Sequence, residues 1–136
     1  MTATTANTIR GTFDVALKPL ELAFTHDQPG LGRMSIDKQF HGDLEATSKG
    51  EMLSAMTAVK ASAGYVAMER VTGTLQGKKG SFVLQHSAFM DRGAQSLKIT
   101  VVPDSGTDEL VGLRGDLGIE IIDKQHYYSF TFDIIP

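Results

Sequence analysis

The chain has 136 residues, 41% of them hydrophobic, with a formal charge of −3 and a pI near 5.7, which leaves room for one closed core and none for a second domain. No Lys/Arg cluster offers a phosphate-reading surface, so a nucleic-acid partner is excluded, and the absence of cysteine removes disulfides, thiolate ligands and thiol nucleophiles and makes a cytoplasmic protein the simplest expectation. The start, MTATTANTIRG, has neither a basic leader nor an apolar run, and no later stretch has the length of a membrane span, so no membrane partner is expected.

A single domain over 1–136 is expected, with residues 1–7 as a flexible start. Ile9, Phe13, Val15 and Leu17 alternate with Arg10, Thr12 and Asp14, which predicts a first strand over 8–18 that Pro19 interrupts. A short apolar piece, 20–24, leads to the turn residues His26-Asp27-Gln28-Pro29-Gly30. Met34, Ile36, Phe40 and Leu44 then share one face of a second strand over 33–47, with Lys38 as its ionisable exception. Ser48-Lys49-Gly50 reads as the turn into a third strand over 51–59, whose faces the pattern leaves open.

The clearest hairpin is 64–90. Tyr65, Ala67, Val71, Gly73 and Leu75 alternate with polar neighbours, and Phe82, Leu84, Ala88 and Met90 resume the pattern beyond Gly77-Lys78-Lys79-Gly80. Glu69 and His86 break the apolar face. A turn at Gly77-Lys78 sets them directly opposite one another and a turn at Lys78-Lys79 sets them one diagonal apart, so they share a face in both registers. Asp91-Arg92-Gly93 closes the hairpin. The sixth strand, 95–102, carries Leu97, Ile99 and Val101 and ends before Pro103, and Ser105 or Thr107 is placed to cap one short helical turn. Leu113, Gly115, Leu117, Ile119 and Ile121 mark a seventh strand, Asp123-Lys124-Gln125 a turn, and Tyr128, Phe130, Phe132 and Ile134 an eighth.

Eight antiparallel strands with short connections leave unpaired edges unless the sheet closes, so the expected fold is all-β, an eight-stranded antiparallel β-barrel. Glycines at 11, 42, 73, 115 and 118 within the strand patterns suit such curvature. A barrel of this size is filled by its own side chains or holds one small ligand. The runs KQFHGDLEATSKGEM, GYVAMERVTGTLQGKKGSFVLQH and VVPDSGTDELVGLRG resemble a family of small bacterial proteins classed as a domain of unknown function, with an allene oxide cyclase-like barrel. The resemblance runs from about Gly11 to the last strand. It implies a lumen that holds an apolar molecule and transfers no catalytic residue.

Lys38, Glu69 and His86 are the ionisable groups on inward faces, and Tyr65 and Tyr128 add phenols at compatible positions. As a ligand-binding set they form a polar cluster in an apolar lumen, where Glu69 is the candidate catalytic residue as base or electrostatic stabiliser. Paired with one another, the same charges are simply a satisfied buried group. His26, His41, His86 and His126 lack metal-ligand spacing, so no metal and no cofactor is expected. Three functions follow: a barrel binding an apolar or amphipathic small molecule, a cofactor-independent isomerase or cyclase using Glu69, and a structural barrel with a filled core. Association into a homo-oligomer through the outer faces is compatible with all three.

Overall fold

Period-two alternation gives every strand one apolar face, and a sheet curled onto that face buries it. The computed structural model, which describes residues 7–24 and 28–136, has this form. The strands are β1 (Asn7–Leu20), β2 (Leu31–Gly42), β3 (Leu44–Met56), β4 (Ala63–Leu75), β5 (Lys78–Asp91), β6 (Ala94–Val101), β7 (Leu113–Ile122) and β8 (Gln125–Ile134), with one 3-10 turn at Asp108–Leu110. They pair in chain order as a closed, wholly antiparallel barrel, β8 returning to β1. Of the expected flexible start, residues 1–6 lie outside the described residues, as do His26 and Asp27 of the first turn, while Asn7 already pairs with Phe132. No helix among the described residues is long and apolar enough to cross a membrane.

Four local expectations are corrected. β2 ends at Gly42 and β3 runs Leu44–Met56, so Ser48-Lys49-Gly50 lies inside a strand. The connection at Asp43 is so short that the even-numbered inward phase passes through it unbroken, and Leu44, Ala46 and Ser48 are all buried. β1 continues through Pro19, which pairs with Met34. Pairing of β1 with β8 reaches only Phe13, so Pro19 sits on a one-sided stretch where a missing N–H is tolerated. The β4–β5 turn is Gln76-Gly77, both at positive φ (49° and 82°), as a tight hairpin turn matching the strand twist requires. Glu69 therefore faces Leu84, and His86 faces Ala67, one diagonal from Glu69. Thr107 does stand at the N-cap of the short turn, without capping it through its side chain. Its hydroxyl accepts the Ser81 N–H instead, at 3.0 Å, as the Ser105 hydroxyl accepts that of Val83, and this loop replaces β6 beside the start of β5.

The interior is packed at one end. Phe82 and Phe130 stack with centroids 5.8 Å apart, Phe132 lies 5.1 Å from Phe130, and Leu44, Leu75, Leu113 and Leu110 of the 3-10 turn complete the plug. The other end is looser. Among the described residues β6 and β7 pair only at Thr100 and Asp116, and β1 parts from β8 after Phe13 and His126. The tip of the β7–β8 hairpin thus stands away from both its neighbours.

Candidate functional site

Four inward side chains meet near mid-barrel, each delivered by a different strand. Lys38 on β2 pairs with Ser48 on β3, Ser48 with Val71 on β4, and the diagonal from Glu69 on β4 reaches His86 on β5. Gly50 on β3 lies directly opposite Glu69. A Cβ there would fall 2.6 Å from Glu69 Cα and 2.7 Å from its Cβ, closer than real Cβ contacts come, so β4 can approach only because residue 50 has no side chain.

Glu69 is the hub. Its Oε1 accepts from Lys38 Nζ at 2.9 Å and from His86 Nε2 at 2.7 Å, and its Oε2 accepts from the Ser48 hydroxyl at 2.6 Å. The Glu69 side chain is fully buried, that of His86 is 4% exposed and that of Lys38 6%. Burial by itself pushes the Glu69 carboxyl up. The His86 hydrogen bond, the Lys38 charge and hydrogen bond and the Ser48 hydroxyl outweigh it and bring the group down to about 2. A carboxylate only accepts, so His86 donates through Nε2 and turns Nδ1 away from Glu69. The Lys38 ammonium also stands 5.1 Å from the ring of Phe13 and 5.8 Å from that of Phe40, where the rings' negative faces favour a cation.

Above this cluster the lumen is open. A cavity of about 620 Å³ runs from the cluster to the loose end of the barrel. Phe13, Val15, Leu17, Ile36, Met52, Leu97, Ile119 and Ile121 form its apolar wall, and Lys38, His86, Tyr65, Gln95, Glu120 and His126 are its polar contributors. Glu69 is absent from that wall: Lys38 and His86 stand in front of it. Ala67 and Ala88 are small, buried inward residues beside the cavity. An apolar recess of about 300 Å³ adjoins it, sharing Met52, Tyr65, Gln95 and Leu97.

The structure brings together Lys38, Glu69 and His86 and sets Tyr65 at the same cavity. Burial, and next the Glu69 charge, push the Tyr65 phenol up, so it stays protonated. Tyr128 is brought elsewhere. Its hydroxyl lies at the packed end, accepts the Leu44 N–H at 3.1 Å and faces the His41 carbonyl at 3.0 Å, pinning the β2–β3 connection. Ser48 was hidden by its turn-like neighbours Lys49 and Gly50, although the even phase from Phe40 through Leu44 pointed to it. His126 is a further wall residue; its ring lies 5.1 Å from that of Phe13. His41 is exposed and 3.1 Å from Asp14. Among the described residues no three His, Asp or Glu side chains are grouped to hold a metal ion.

The family described as "Protein of unknown function (DUF3224)" matches residues 9–132, nearly the whole barrel. A solved crystal structure of a protein of unknown function from that family, from Shewanella oneidensis MR-1, is similar with 53% identity and a TM-score of 0.90, over 96% of this chain and 99% of that one. No curated protein matches.

Proposed function

This chain belongs to the DUF3224 family, whose description names no activity, and from its own site we propose that the barrel binds one small apolar or amphipathic molecule in the open half of its lumen. The observation that carries this reading is the cavity of about 620 Å³, walled by aliphatic and aromatic side chains and floored by a few convergent polar groups, the usual make-up of a small-molecule site. Native mass spectrometry of protein purified without added ligand tests it. The expected spectrum contains a non-covalent adduct that is lost on denaturation. Bare chain alone, together with no thermal stabilisation by any amphipathic compound, would count against binding.

The isomerase or cyclase reading takes a changed form. Glu69 lies behind the wall, with both oxygens engaged and its carboxyl held at about 2, which makes it a poor proton acceptor near neutral pH. His86 and Lys38 face the cavity. In an enzyme of this kind Glu69 is a positioning residue, and His86 meets the substrate. Glu69→Gln then lowers turnover of a bound substrate while leaving its affinity nearly intact, and an equal loss of both removes the enzymatic reading. The filled-barrel reading describes the packed end only.

A further inference from the structure

The donor inventory of the cavity floor narrows what the ligand can be. Lys38 carries three N–H donors. One goes to Glu69 Oε1, and Phe13 and Phe40 supply ring faces rather than lone pairs. With a side chain only 6% exposed, the ammonium keeps N–H donors for which no second oxygen stands among the described residues, and it lies on the cavity wall. Tyr65, also on the wall, brings a hydroxyl. Both Glu69 oxygens are occupied and shielded and the Ser48 hydroxyl donates to one of them, so what remains in the cluster beside the ammonium is the His86 ring nitrogen Nδ1, which carries no negative charge. Of the other polar wall residues, Gln95 is an uncharged amide, the His126 ring lies against Phe13, and Glu120 is exposed on β7 at the rim. A ligand that reaches the floor therefore finds a buried cation short of acceptors and no free carboxylate.

We infer that the natural ligand enters with a carboxylate head and an apolar body, the head seated on Lys38 Nζ beside the Tyr65 hydroxyl and the body lying along Phe13, Ile36, Met52, Leu97 and Ile119. This rests on the lumenal binding proposed above and adds the chemistry of the head. Ammonium heads are rejected by Lys38, and hydroxyl heads gain a hydrogen bond without the charge.

Calorimetric titration of the full chain with decanoate, decanol and decylamine tests it. Decanoate is expected to bind at least about tenfold more tightly than decanol, the usual advantage of a hydrogen bond to a charged partner, with decylamine weakest. Lys38→Met should abolish the preference, bringing decanoate to the level of decanol, with a smaller loss for decanol, whose hydroxyl forfeits only a neutral hydrogen bond. Should that variant fail to fold, side-chain nitrogen resonances of His86 in the unaltered protein still decide, since they should move with decanoate and stay still with decylamine. Equal affinity for the three probes, or a preference for the amine, overturns the carboxylate head while leaving lumenal binding in place. Failure of all three to bind overturns both.

Discussion

The two ends of this barrel are built from the same alternating strands and come out opposite. At the packed end Phe82, Phe130, Phe132, Leu44 and Leu113 fill the lumen and Leu110 seals it. At the open end the inward positions hold Ala67, Ala88, Met52 and Tyr65, and the β7–β8 hairpin tip parts from β1 and β6. Alternation alone sets which residues point inward, whereas side-chain volume and the completeness of the two seams set whether the inside is solid. Stability is concentrated where volume is large, and binding is possible where it is small. The Glu69 cluster is the boundary between them, a floor that faces the cavity with the Lys38 ammonium and the His86 ring.

Truncation should expose that contrast most strongly. Phe130→Ala is expected to cost about 3–5 kcal/mol and Leu17→Ala, on the half-exposed cavity wall, less than about 1 kcal/mol, measured by urea unfolding. Equal losses would mean that the two ends are not distinct. Glu69→Ala strands a buried ammonium and a buried imidazole, and removing one partner of such a set costs about 3–5 kcal/mol. The same carboxylate gives the protein an acid limb. Its ordinary value is 4.5 and its folded value about 2, so the folded state releases this proton more readily than the unfolded chain. The resulting stability is complete above about pH 4.5 and is lost as the pH falls toward 2. Unfolding free energies of wild type and Glu69→Gln should converge over that window, and parallel curves would show that Glu69 is not the group responsible. Tyr128→Phe is expected to cost about 1 kcal/mol for the lost hydroxyl contacts at the β2–β3 connection, with ligand affinity unchanged. A loss of affinity there would tie the packed end to binding.

Much of this was legible in the residues because a period of two survives errors of register. Glu69 and His86 were identifiable as sharing a face with the β4–β5 turn at Gly77-Lys78 or at Lys78-Lys79, and they still share it with the turn at Gln76-Gly77, because every one of these shifts in pairing is by two. Height along the barrel was not legible. Tyr128 and Tyr65 share the inward face, yet one pins the packed end and the other lines the cavity, since height depends on strand stagger that no local pattern records. Ser48 was lost for a different reason: Ser-Lys-Gly is strong turn chemistry, but Gly50 serves the close approach of β4 at Glu69, a tertiary demand that outweighs the local signal. The cavity itself follows from where small residues coincide with opened seams, which only the assembled strands reveal.

The central claim is that a carboxylate-headed molecule occupies the open half-lumen on a floor held by Glu69. The most direct measurement is a residue-by-residue map of NMR shifts as decanoate is added to the full chain. The account predicts saturable changes at Lys38, Tyr65, His86, Met52 and Leu97. Changes confined to the exposed outer residues Leu53, Val66 and Phe89, with the lumen silent, would contradict it.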